Sequence, residues 1–489
     1  MGVRADGGRS DTLRVAFIPH HCLDGSLLNC TEGNHEMTPQ MDTSERNEMK
    51  NMIRGTIHLP GGDGYDEARQ VWNGMIDRRP AAIVGTAGIA DVIATVRFAS
   101  ERRLPVAIRC GGHNVAGSAV GDDGIVIDLA SFKSVRVDPA ERRVRAGGGV
   151  LWGEYDRETQ AFGLASPGGA VSTTGIAGLT LGGGYGYLSR RYGMACDNLL
   201  SATVVTASGE LVTASADAHP DLFWALRGGG GNFGVVTEFE FQLHPVREPV
   251  GGMVVFPFEM SKTVLRRFRD LSLEASDDLV LMAAILPAPG GGNIVGVVMS
   301  HTGTDEESER AIRPFRELGS VLMDTIGRMP YCAMQRQIDL SYPKGRRHYW
   351  KSAFLKSLTD DVIDLTIETV RTSPSPMNTV LVESYGGAVA RVANDATAFG
   401  NRDAKFNLSF LGISENPGID AEQMAWARVG WQRIRPFSTG GAYVNYLSEG
   451  EDVHLAYGDA RFQRLATIKA KYDPANLFRF NQNIPPAKG

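Results

Sequence analysis

Three glycine-rich loops carry the clearest chemical signal in this chain. The segment VAIRCGGHNVAGS, residues 106–118, runs from an apolar strand into a loop holding Gly111, Gly112 and Gly117. Glycines so placed let successive backbone N–H groups point into one concavity, which can hold a pyrophosphate without a lysine. The same residues would also suit a plain turn between strands. A second loop, GLTLGGGYG at 178–186, sets Gly182, Gly183 and Gly184 in a row after an apolar stretch, and a third, RGGGGNFG at 227–234, precedes a strand. Such runs permit a planar or phosphorylated ligand to approach the backbone closely. None of the loops fits the order of strand, G-x-G-x-x-G and helix with an acidic residue about 20 positions on, which argues against a nicotinamide dinucleotide.

The elements that must hold these loops are those of a large chain. Its 489 residues exceed one ordinary domain, and its 58 glycines are spread through apolar segments. A net charge of −6 gives no footprint for nucleic acid, and no cluster of Lys and Arg suggests a membrane surface, so a small-molecule substrate is expected. Cys22, Cys30, Cys110, Cys196 and Cys332 form no CxxC pair, which argues against both a disulfide framework and a zinc site, and no metal ligand is expected. The beginning of the chain lacks a signal-peptide core and no apolar run is long enough to span a bilayer, so the expected location is cytoplasmic. Residues 1–50 lack periodicity and read as a poorly ordered extension. From Arg79, short strands (81–84, 106–109, 124–129, 134–137, 142–146) alternate with a helix at 89–102. After Pro245 come longer strands (279–286, 293–299, 379–383, 406–411) and amphipathic helices at 308–318 and 359–372. The second pattern predicts an antiparallel sheet covered by helices on one face.

Five segments then occur in order: RCGGHNVAG at 109–117, VSTTGIAGLTLGGGYG at 171–186, YGMACDNL at 192–199, DLFWALRGGGGNFGVV at 221–236 and YDPANLFRFNQNI at 472–484. Together they resemble the FAD-linked oxidases related to berberine bridge enzyme and 6-hydroxy-D-nicotine oxidase. The likeness covers about residues 70–489. It implies an α+β protein with a two-part FAD-binding domain of the p-cresol methylhydroxylase type at 70–247. A substrate domain would be inserted at 248–440, and a segment at 441–489 would return to the FAD domain.

The resemblance also assigns residues. His113 matches the histidine that bonds to the C8α methyl of the flavin in such proteins; a neutral imidazole is a nucleophile suited to that bond. Bicovalent relatives carry a cysteine where this chain has Val171, so no cysteinyl link is expected, and Cys196 and Cys110 are read as buried small residues. Position in the motifs places the pyrophosphate against the backbone around Arg109, Gly111, Gly112, Asn114 and Gly117. Gly175, Gly178, Gly182, Asp197 and Val236 would line the rest of the channel. Asn481 and Gln482 match residues near the pyrimidine edge of the flavin, where their amides can both donate and accept.

The implied reaction removes a hydride from a small organic substrate (alcohol, amine, phenolic or sugar) to the flavin, and dioxygen then takes the electrons to give hydrogen peroxide. A dehydrogenase using another acceptor, or a flavin-binding protein without turnover, are the alternatives. Asn407 best matches the position where berberine bridge enzyme-like proteins place a glutamate base, and an amide cannot accept a proton at neutral pH. Tyr446, in YVNY at 443–446, resembles the tyrosine of cannabinoid-forming members. It would need positive charge nearby, which Lys351 could supply, and Glu383 on a neighbouring apolar strand is a further candidate.

Overall fold

In the computed structural model, residues 41–246 and 248–488 are described. The short apolar runs of the N-terminal half form a sheet in which Ala82–Gly85, Ile125–Asp128 and Val106–Arg109 are parallel; Thr56–His58 pairs antiparallel at one edge and Val106–Arg109 forms the other. Parallel strands are covered on both faces, which is why they read as AIVG, IVID and VAIR without alternation. Their core closes against the helix Ile89–Glu101, which buries Val92, Val96 and Phe98. A second, antiparallel sheet follows in the order Val135–Asp138, Arg143–Gly147, Val235–Gln242, Leu199–Val205 and Leu211–Ser215.

The expectation of a disordered extension reaching residue 50 is corrected by a helix at Thr43–Met52. Asp42 accepts from the Glu45 N–H while the Glu45 carboxylate accepts from the Asp42 N–H, a reciprocal cap that satisfies two otherwise unpaired donors. Met41 and Met49 anchor the helix in the core beside the Ile89–Glu101 helix. Residues 1–40 lie outside the described residues.

From Val250 an antiparallel sheet of eight strands takes over, with Val250–Pro257, Asn293–His301, Leu279–Pro287, Thr379–Ser384, Phe406–Ser414 and Arg347–Leu355 as its main path. Alternation divides its faces. Leu281, Ala283, Ile285, Val380, Val382, Leu408 and Phe410 pack on helices Ser261–Glu274, Asp360–Arg371 and Asp420–Ile434. The intervening residues, among them Met282, Ala284, Leu381 and Glu383, face the N-terminal half across a cavity.

The chain then returns through the helix His454–Tyr472. The buried Lys469 ammonium pairs with Asp473 at 2.5 Å and donates to the carbonyls of Asn232 and Phe478, while Asp473 accepts from the Leu477 and Phe478 N–H groups. A buried ion pair is tolerated only with its remaining valences filled. Here filling them fastens the last segment to the third glycine loop. No helix among the described residues is long and apolar enough to cross a membrane.

One buried acid gives the fold a pH dependence. Asp156, on the helix Trp152–Gln160, accepts from Gln335 Nε2 at 3.1 Å through one carboxyl oxygen and leaves the other unpartnered. Burial pushes its carboxyl up to about 8. The unfolded chain ionises near the ordinary value of about 3.9, so stability is lost as pH rises from there through the folded value. Asp156→Asn should flatten that decline: in thermal melts at pH 6 and pH 9, the wild-type melting temperature falls and the variant's falls less.

Candidate active site

A cavity of about 700 Å³ lies between the glycine loops and the open face of the eight-stranded sheet. That is within the range of cofactor and ligand sites. One wall is built from backbone. Gly112 has φ +62°, and a Cβ on Gly111 would stand 2.7 Å from the Gly175 nitrogen, so only glycine lets the first loop lie directly on the backbone that starts the helix Ile176–Leu181. A Cβ at Gly178 would meet nothing within 4 Å, so this glycine presents bare backbone to the cavity. Gly230 and Gly231 of the third loop close that side.

His113 stands on this wall, enclosed by protein atoms on its other sides and open to the cavity. Its ring stacks on Trp72 with centroids 4.2 Å apart, and Trp72 in turn stacks on His348 at 4.0 Å. Thr173 Oγ1 lies 3.4 Å from His113 Nε2. Burial lowers the imidazole to about 4, so it is neutral near pH 7. Val171 and Cys110 also border the cavity, and burial pushes the Cys110 thiol up to about 11, leaving it protonated. Cys196 is buried away from the cavity wall, beneath Asp197.

At the tail, Asn481 and Gln482 reach the cavity, held by Asn481 Nδ2 donating to the Gly231 carbonyl and by Asn232 Nδ2 donating to the Gln482 carbonyl. The Gln482 Nε2 donor and the Asn481 Oδ1 acceptor are buried without partners. Unpaired buried polar atoms are costly. One donor and one acceptor on the same wall suit the edge of a ring carrying alternating carbonyls and N–H, such as an isoalloxazine.

On the opposite wall the sheet register sets Glu383 directly across from Asn407 on one side and Met282 on the other. Asn407 Nδ2 donates to Glu383 Oε2 at 2.9 Å and the Tyr446 hydroxyl donates to Oε1 at 2.8 Å. Burial pushes the Glu383 carboxyl up to about 7, against the opposing effect of these two hydrogen bonds. Tyr446 is pushed well above its ordinary value, by burial first and then by the Glu383 charge.

The cavity thus brings together Gly111, Gly112, His113, Asn114, Gly175, Gly178, Asn481, Gln482, Tyr446 and Glu383. Other expected residues lie off its wall. The Arg109 side chain turns away to pair with Asp128 and the Ala68 carbonyl, while its backbone joins the cavity-lining residues Ile108 and Cys110. Gly117 packs on Ile76, Gly182 packs on Asn445, and Val236 sits within the antiparallel-sheet core. Asp197 is tied by both carboxyl oxygens to Arg402, each at 2.7 Å, in a pair that braces the YGMACDNL turn. Asn407 is wholly buried behind Glu383. Lys351 cannot supply charge to Tyr446, because it pairs with Glu451 at 2.8 Å and lies near the Trp431 ring. Trp72 had no sequence signal, lying in an unpatterned stretch. Glu383 had one: an acid alternating with Thr379 and Leu381 on one face of an otherwise apolar strand.

Residues 80–215 match a FAD binding domain family, and residues 442–485 match the family described as berberine and berberine like. A FAD-linked oxidoreductase of Dictyostelium discoideum is 32% identical over 443 residues, covering 90% of this chain and 96% of its own. (R)-6-hydroxynicotine oxidase of Paenarthrobacter nicotinovorans is 32% identical over 451 residues, covering 89% and 97%. The crystal structure of 6-hydroxy-D-nicotine oxidase from Arthrobacter nicotinovorans superposes with a TM-score of 0.82 at 31% identity, covering 89% of this chain and 98% of that one. With that similarity running nearly end to end through both glycine-lined wall and sheet, the chain belongs to the FAD-linked oxidases related to berberine bridge enzyme and is an FAD-dependent oxidoreductase.

Proposed function

We propose that this protein is an oxidase of a small organic substrate, with FAD held through a single bond from His113 and with Glu383 as the group that takes the substrate's proton. The observation that carries the reading is the Glu383 carboxyl on the cavity wall, facing the glycine loops and fixed by Tyr446 and Asn407.

Bound flavin would supply a two-electron acceptor for the hydride of a substrate C–H bond, with dioxygen taking the electrons on as hydrogen peroxide. His113 would hold the ring, and its neutral imidazole keeps the lone pair that a bond to the ring's methyl group requires. Gly111, Gly112 and Asn114 would hold the phosphates, Gly175 and Gly178 the neighbouring surface, and Asn481 with Gln482 the pyrimidine edge. Val171 at the second position excludes a thioether.

The proton chemistry falls to Glu383. A carboxyl that titrates near neutrality is ionised often enough to accept a proton from a hydroxyl or ammonium and basic enough to hold it. Tyr446, expected as a base, instead keeps its proton and donates it to Glu383 Oε1. Asn407 fills the other oxygen from behind, which leaves the carboxyl one orientation. Both are positioning residues.

Mixing the purified protein with a panel of alcohols, amines, phenols and sugars without oxygen should bleach the flavin absorbance with at least one of them. Admitting air should restore the colour with one peroxide formed per product. Bleaching that is reversed by an artificial electron acceptor and not by air would overturn the oxidase assignment.

A further inference from the structure

We infer that the substrate is a lipophilic, ring-bearing alcohol, phenol or amine with one proton-bearing group, and not a sugar. The inference rests on reading this cavity as the flavin and substrate site. The sheet's contribution to the wall is apolar in successive rows: Met253, Val298 and Met282 lead across to Glu383, and Ala284 leads to Leu381 in the next. Glu383 is the one ionisable carboxyl on the wall among the described residues, and Arg346, also on the wall, pairs with Glu415 at 3.3 Å. A sugar desolvates a hydroxyl at nearly every carbon and would find no partner along these sheet rows except Glu383, and unpaired buried hydroxyls are costly. A fused-ring body with one hydroxyl directed at Glu383 brings only one polar group of its own against these rows.

The shape agrees with the chemistry. Ala284 lies opposite Gly296 in register, so two small residues sit side by side in the middle of the sheet. The Met253 thioether reaches over Gly296, where a Cβ would stand 2.9 Å from its sulfur. Met253 therefore fills the space over Gly296 and leaves Ala284 as the low point of the wall, bordered by Met253 and Met282, whose flexible side chains adapt to a flat apolar ligand.

A second observation comes from the rim. Leu340 is 92% exposed and borders the cavity. It is not a loose loop tip. Its neighbour Asp339 accepts from the Ser172 N–H at 2.9 Å and from Ser172 Oγ at 2.6 Å, while the Tyr342 carbonyl accepts from Trp72 Nε1 at 3.0 Å. An apolar side chain held out in water at the edge of an apolar cleft is covered when an apolar ligand arrives.

The test is equilibrium dialysis on the flavin-bearing protein with 2-naphthol, phenol and cellobiose as probes. The second ring should tighten binding by about tenfold or more over phenol, and cellobiose should show no saturable binding. Ala284→Leu, which raises that low point, should weaken 2-naphthol by about tenfold with the flavin absorbance per polypeptide unchanged. Leu340→Ser, a surface change that does not endanger folding, should weaken it by about threefold. Cellobiose binding more tightly than 2-naphthol, or both variants binding 2-naphthol as the parent does, overturns the substrate class. A parent protein without flavin instead overturns the cofactor reading on which the class rests, so the two failures are separable.

Discussion

His113→Ala protein should fold and yet release all of its yellow colour on denaturation, whereas the parent, Cys196→Ala and His348→Ala proteins should keep theirs with the polypeptide. The contrast follows from position. His113 is the imidazole on the cavity wall among the described residues. His348 is stacked behind Trp72, and Cys196 is buried with its thiol pushed far up, so neither can reach a ring in the cavity. Removing His113 also removes its stack on Trp72, but the side chain borders the cavity and carries no hydrogen bond into the core, so the fold is expected to survive with a modest loss of stability. The change expected is therefore all or none in covalent retention, read as flavin fluorescence in a denaturing gel, with a cooperative melt retained.

Glu383→Gln should slow substrate-dependent flavin bleaching by about 10²–10⁴-fold, the usual worth of a positioned general base. In the parent the rate should rise with pH through about 7 and level off above it, because the ionised carboxyl is the base and its population saturates there. The glutamine variant should lose that limb. Stability moves the other way: the carboxyl's folded value lies above its unfolded value of about 4.3, so ionisation destabilises the fold as pH climbs through 7. Glu383→Gln should thus gain melting temperature relative to the parent above pH 7. Tyr446→Phe removes one donor from the carboxylate, so its pH limb should shift upward, a signature that loss of packing alone would not give.

What could be read from the residues divides along local and non-local lines. The glycine loops, the strands around 82–85, 106–109 and 125–128, and the sheet-and-helix texture of the second half are local patterns, and the structure has these elements with ends displaced by up to three residues, as at Asp305 and Ser414. The Thr43–Met52 helix carried its signal in Asp42 and Glu45, but its apolar contacts at Met41 and Met49 are too few to make a stripe. The opposite wall was less legible. Whether Glu383 or Tyr446 is the base depends on the register that sets Glu383 against Asn407, and on Glu451 having claimed Lys351 from 100 residues away. Neither pairing leaves a trace in sequence spacing. Equally invisible in the spacing are the ion pairs of Arg109 with Asp128 and of Asp197 with Arg402.

The most direct test of the central claim is intact mass measurement of the denatured protein followed by mapping of its proteolytic peptides. The account predicts a single adduct of FAD size, carried by the peptide that spans residues 106–118 and lost in His113→Ala. A bare polypeptide, or an adduct on a peptide that lacks His113, would contradict it.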